Sequence, residues 1–167
     1  MNESARIIEQ LQLLPHPEGG WYREVYRSDE ILLPASLPDR YSTAHCFSTS
    51  IYFLLEKDDF SAFHRISSDE TWHFYKGSPV IIYCLFSDGS FSQVILGNNL
   101  DEGQVLQYTI LRNCWFAARN QDINSFSLVG CTVSPGFDFS DFELGQQQSL
   151  FSLFPHKKEL ILSLTRI

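Results

Sequence analysis

The stretch that decides the fold is Val80-Ile81-Ile82-Tyr83-Cys84-Leu85-Phe86, then Ser87-Asp88-Gly89-Ser90, then Phe91-Ser92-Gln93-Val94-Ile95-Leu96. Two short apolar runs rich in β-branched and aromatic residues meet at an Asp-Gly pair, the strongest short-range hairpin signal a sequence carries. Working outward, the same texture recurs. Ser50–Leu55, Ala62–Ile66, Glu70–Lys76, Val105–Ile110, Cys114–Arg119 and Phe126–Val133 read as further strands. Turn chemistry separates them: Lys57-Asp58-Asp59, Gly77-Ser78-Pro79, Gly97-Asn98-Asn99 and Asp101-Glu102-Gly103. The linkers are too short for the crossover helices that a parallel sheet needs. The pattern predicts an all-β antiparallel sandwich or barrel, a jelly roll in particular, as one domain over residues 1–167.

The two ends differ. Ile7, Ile8, Leu11 and Leu14 recur at helical spacing behind Asn2 or Ser4 as a cap, and Pro15 and Pro17 close that helix. His16-Pro17-Glu18-Gly19-Gly20 is a rigid bend, Trp21–Arg27 alternates like a strand, and Ile31–Ser42 reads as a loop. After an aromatic-acidic turn over Phe137–Glu143, a second helix is expected from Pro155, with Leu160, Ile161 and Leu164 on one face.

Composition removes several classes of function. Of 167 residues, 44% are apolar and 19% charged, which sets disorder aside. Acids outnumber Lys and Arg 20 to 12, for a formal charge of −8. No Lys or Arg lies between Lys76 and Arg112, or between Arg119 and Lys157. Such a chain has few cations to neutralise phosphates, so neither nucleic acid nor an anionic membrane is an expected partner. The longest apolar run, Val80–Phe86, is far short of the roughly 20 residues of a membrane span. No signal peptide is visible, and the dispersed Cys46, Cys84, Cys114 and Cys131 read as buried thiols in a cytoplasmic protein.

The densest polar chemistry lies in Phe63-His64-Arg65-Ile66-Ser67-Ser68-Asp69-Glu70-Thr71-Trp72-His73-Phe74-Tyr75-Lys76-Gly77. It resembles the first motif of the cupins, in which two histidines one residue apart precede a glutamate and, seven residues later, a glycine. Glu70 and Gly77 keep the last spacing. His64 is either the first histidine, with Ile66 at the second position, or the second, with Ala62 at the first. One histidine is missing in both registers. In the second motif Leu111 stands at the proline, Asn113 at the glycine, and Phe116 or Trp115 near the final histidine.

Five stretches in order resemble a narrower group, the small cupin-like proteins of bacteria and fungi filed under a domain of unknown function. They are His16–Tyr22, Ser50–Leu55, Phe63–Arg65, Asp69–Trp72 and Ser127–Phe137. The resemblance implies a double-stranded β-helix, the cupin jelly-roll barrel, related to RmlC-like sugar epimerases and commonly dimeric. A homodimer is therefore expected, with Trp21–Arg27 as the strand that hides an exposed edge.

His64 as general base and Glu70 as its partner are the first candidates, because imidazole titrates near neutrality. Their even separation places them on one face. Tyr52 or Tyr83 is the candidate to return a proton, and Glu18, Arg65, Trp72, Phe116 and Ser134 are candidates for ligand binding. Arg65 and His73 have the opposite parity and are expected to face outward. No cofactor is expected; a divalent metal, if any, would fall to His64 and Glu70, short of the usual three protein ligands.

These residues predict a barrel that binds a small polar molecule, either as a metal-independent epimerase or isomerase of a sugar-like compound or as a non-catalytic carbohydrate-like binding module. A metal-dependent oxygenase with atypical ligands is a weaker alternative. A nucleotide-sugar would need cations, for which Arg23, Arg27, Arg65, Arg112 and Arg119 are the candidates.

Overall fold

A computed structural model describes residues 2–166. In chain order the strands are β1 (Leu14–Pro15), β2 (Trp21–Arg27), β3 (Ile31–Leu32), β4 (His45–Cys46), β5 (Thr49–Glu56), β6 (Phe60–Arg65) and β7 (Asp69–Gly77). They continue as β8 (Val80–Leu85), β9 (Phe91–Leu96), β10 (Gln107–Ile110), β11 (Trp115–Asn120), β12 (Phe126–Ser134) and β13 (Glu143–Leu144). Helices α1 (Glu3–Leu11), α2 (Gln147–Leu153) and α3 (Lys158–Ser163) lie at the ends. Asn2 caps α1 by accepting from the Ala5 N–H at 2.9 Å, and the helix stops at Gln12, which takes a left-handed φ of 53° before either proline is reached.

Two sheets face one another. One runs β1-β2-β5-β12-β7-β10 and the other β13-β6-β11-β8-β9, while β3 and β4 form a small ribbon. All pairings within the two sheets are antiparallel, and the β8–β9 hairpin pairs Val80 with Leu96 and Leu85 with Phe91 around Asp88-Gly89. This is the expected jelly roll.

Alternation in the strands splits the apolar residues into two cores. Phe53, Leu55, Trp72, Ile82, Cys84, Phe116, Val129 and Cys131 fill the space between the sheets. Phe63, Tyr83, Leu85 and Trp115 project from the opposite face of the five-stranded sheet and are sealed by Leu150 and Phe154 of the α2 region and by Ile161 and Leu164 at α3. With both faces covered, β8 is apolar nearly throughout, as its sequence reads. The expected C-terminal helix begins as a single 3-10 turn at Pro155–Lys157 before α3, and α2 precedes it unannounced. The segment expected as loop over Ile31–Ser42 includes β3 and a short 3-10 turn, Pro34–Ser36.

Candidate functional site

Between the sheets the core stops short of one end of the barrel and leaves a cavity of about 240 Å³. β5 and β7 contribute Ile51, Phe53, Glu70 and Trp72 from the six-stranded sheet, with Cys131 and Val133 of β12. His64 of β6 and Ile66 just beyond it face them from the other sheet. The His16–Gly20 bend inserts His16 and Glu18, and β2 adds Tyr22, Glu24 and Arg27. A register shift between Glu24 and Tyr26 interrupts the two-residue alternation, which is how Arg27 joins Tyr22 and Glu24 on one side.

The far wall is Phe137 and Phe139, on a segment tied down at several points. The Phe137 N–H donates to Thr49 Oγ1 at 2.9 Å. His45 Nδ1 donates to the Gly136 carbonyl at 2.9 Å, and its Nε2 lies 3.1 Å from an Asp141 carboxylate oxygen.

The chemistry centres on Glu18, whose side chain is buried. Its Oε1 accepts from the Ser61 hydroxyl at 2.8 Å. Its Oε2 lies 3.1 Å from His64 Nε2 and 3.5 Å from His16 Nδ1. His64 Nδ1 donates to the Ala62 carbonyl at 2.8 Å, and His16 Nδ1 accepts from the Glu18 N–H at 3.3 Å. Two neutral imidazoles therefore turn lone pairs toward one carboxyl oxygen. A proton on Oε2 makes that contact attractive. Burial acts in the same sense: it pushes the Glu18 carboxyl well above its ordinary range and lowers His64 to about 3 and His16 to about 4. The resting pair is a neutral acid against a neutral imidazole.

The bend is clamped from behind. The Glu18 carbonyl accepts from the Ala62 N–H at 2.9 Å and from Arg166 Nε at 3.1 Å. Arg166 also bonds Asp59 at 2.6 Å, and the other Asp59 oxygen accepts from the Gly20 N–H at 2.8 Å. Gly19 sits at φ +112°, and a Cβ there would lie 2.2 Å from the Phe60 carbonyl, so the position demands glycine.

Glu70 faces this group from the opposite sheet. Burial raises its carboxyl to about 7, against smaller opposing effects of the Trp72 indole and the Cys131 thiol, and its charge acts in turn on Glu18. The Trp72 side chain is only 1% exposed, and its indole N–H has no acceptor in hydrogen-bonding geometry among the described residues.

His64, Glu70, Glu18 and Trp72 thus meet in one cavity, but not as a continuous strand face. His64 and Glu70 belong to opposite sheets, and Glu18, not Glu70, touches the imidazole. Phe116 is buried behind His64, with ring centroids 4.1 Å apart, and supports it rather than lining the cavity.

Four expected site residues lie elsewhere. Tyr52 alternates outward because Ile51 and Phe53 face the cavity, and it packs beside Tyr75. Tyr83 belongs to the outer core under the C-terminal helices, stacked on Phe91. Arg65 projects outward over the Trp115 ring and pairs with Glu143 at 2.7 Å. Ser134 is exposed at the end of β12 and donates to Ser48 Oγ at 3.1 Å. His73, as expected, is off the cavity, 3.3 Å from Thr132 Oγ1. Of the arginines considered for a diphosphate, only Arg27 lines the cavity, and Glu24 already holds it at 2.9 and 2.8 Å.

The cavity is lined by Ile66 and not by Ala62, which fits the register with His64 as the first histidine. Asn113 takes φ +61° where the second motif has its glycine, and Phe116 points inward where that motif ends. Hydrocarbon side chains stand where a cupin metal would find two ligands. The residues present do not fit such an ion, and among the described residues no three His, Cys, Asp or Glu groups converge to hold one.

The profile described as "Cupin superfamily (DUF985)" matches residues 5–145. The chain belongs to this family. It is similar over 99% of its length to protein SO0799 from Shewanella oneidensis, with a TM-score of 0.89, 37% identity and 99% of that chain covered. A hypothetical protein from Leishmania major gives 0.88 at 32% identity, with 99% of this chain and 100% of that one covered. The uncharacterized protein YML079W of Saccharomyces cerevisiae is 28% identical, across 91% of this chain and 81% of its own. Oxalate decarboxylase from Bacillus subtilis shares the fold alone, at TM-score 0.54 and 11% identity, over 90% of this chain and 36% of that one.

Proposed function

We propose that this DUF985 cupin acts on a small carbonyl compound, moving a proton at the carbon beside the carbonyl as an epimerase or isomerase does. One observation carries the reading: two buried carboxyl groups face one cavity from different walls, Glu18 held as an acid against His64 and Glu70 titrating near neutrality. Ionised Glu70 takes the C–H proton and the electron pair moves into the carbonyl as an enolate. The Glu18 acid returns a proton from the other side as the carbonyl re-forms, leaving a Glu18 carboxylate and a Glu70 acid that re-equilibrate through water. His64 is then a positioning residue, since its Nδ1 is committed to Ala62 and its Nε2 to Glu18.

The test is solvent exchange. A panel of small sugars, amino sugars and hydroxyketones is incubated with the protein in D2O and followed by NMR. Deuterium should enter at the carbon beside the carbonyl, and Glu70→Gln or Glu18→Gln should cut the rate at least 100-fold. Ligands that stabilise the protein without exchange would assign the barrel to binding alone.

A homodimer and a cytoplasmic location complete the proposal. β1 pairs only with Trp21 and Tyr22, so the rest of β2 presents an edge, with Val25 48% and Tyr26 54% exposed. Light scattering at micromolar concentration should give twice the chain mass, and a monomer would defeat it. Four buried free cysteines support a reducing compartment. Among the described residues no helix is long and apolar enough to cross a membrane.

A further inference from the structure

We propose that the molecule taken up by the cavity is a small organic cation, a protonated or quaternary amine that also carries an oxygen able to accept a hydrogen bond. The inference deepens the small-molecule reading above and rests on it. Five aromatic side chains, Tyr22, Phe53, Trp72, Phe137 and Phe139, line the space together with the imidazoles of His16 and His64. The faces of such rings attract an ammonium group, most strongly where water is excluded. Three carboxyl groups, Glu18, Glu24 and Glu70, line the same space.

Arg27, the one Lys or Arg lining it among the described residues, is spoken for. Its Nε and one terminal nitrogen fork onto Glu24, that nitrogen also reaches the Phe137 carbonyl at 3.1 Å, and the other lies 3.5 Å from Cys46 Sγ. A phosphate or carboxylate entering here would meet like charge and no free cation. An ammonium would meet ring faces and the Glu70 carboxylate, whose ionised form it would favour. The second requirement comes from Trp72, whose buried indole N–H lies near Glu70 but has no acceptor in good hydrogen-bonding geometry among the described residues. A hydroxyl or carbonyl oxygen on the ligand would supply it.

Matched pairs that differ only in charge test this on the full chain. Choline is compared with 3,3-dimethylbutan-1-ol, its uncharged carbon isostere, and glucosamine with glucose, by calorimetry and by NMR of the Trp72 indole N–H. The charged member of at least one pair should bind tenfold or more tightly than its partner and shift the Trp72 signal. Glu70→Gln should bring the two members of a pair to within threefold of one another; if this variant does not fold, the pairs on the natural chain decide. Equal affinities, preference for the neutral member, or no binding of any probe at millimolar concentration overturns the proposal. A neutral sugar that binds at Trp72 and exchanges its proton would defeat the charge argument while leaving the proton-transfer reading intact.

Discussion

Glu18 is the residue on which the site turns, and its protonation is open to direct measurement. An acid donating to His64 should give a carboxylic C=O stretch in the infrared at pH 8, where a second buried acid, Glu70, is mostly ionised. The band should vanish in Glu18→Gln; a band that persists there belongs to another group. Ser61→Ala leaves Oε1 of a buried carboxyl without its hydroxyl donor and should cost about 1–3 kcal/mol in urea unfolding. Arg166 is more than a third exposed, so Arg166→Ala should cost about 1 kcal/mol or less in global stability. Its larger effect should fall on the His64 ring ¹⁵N shifts, because the bend carrying Glu18 loses one of its ties.

At the level of elements, the C-terminal helices act as the second lid of the sandwich. Leu150 is fully buried against the five-stranded sheet, so Leu150→Ala should destabilise by about 2–5 kcal/mol while leaving cavity binding unchanged. Loss of binding with intact stability would contradict that separation. The strands were legible because apolar runs and Asp or Gly turns record them directly, and Phe91–Leu96 is matched to the residue. α2 was not, since Gln147–Leu153 has neither a side-chain cap nor a basic last turn. That His64, Glu70 and Trp72 face the cavity was legible from the motif, and Glu18 from its two-glycine bend. The parity that put His64 and Glu70 on one strand face was misleading, because they lie on opposite sheets. Tyr83 was misplaced because a strand buried on both faces gives no sign of which face is the cavity. Arg27 could be named only as one of five arginines, because its place depends on the slip in register at Val25, and the Phe137–Phe139 wall was out of reach because it depends on a loop tied to β4 and β5.

For the whole molecule, the buried groups set opposing pH slopes. His16 and His64 are neutral in the native state down to about 4 and about 3, while the unfolded chain protonates them below 6.5. Their contribution to stability is present above 6.5 and is lost as pH falls through that window. Glu70 is protonated up to about 7 in the native state, against 4.5 unfolded, so its contribution is present below 4.5 and is lost as pH rises to 7, by about 3 kcal/mol. Glu18 slopes the same way. Between 4.5 and 6.5 the two sets oppose, and urea midpoints measured across pH should show a broad maximum there. Glu70→Gln should gain up to about 3 kcal/mol over the natural chain at pH 8 and nothing at pH 4. An equal gain at both would mean a packing effect.

The tie from Arg166 to the Glu18 carbonyl spans 148 positions of sequence. During synthesis the acid-bearing bend leaves the ribosome early and waits for nearly the whole domain before its last support arrives. A nascent chain can therefore close its sheets while the bend at Glu18 still lacks one of its ties. The bend at residues 16–20 is complete only once residue 166 has been added and has folded back onto it.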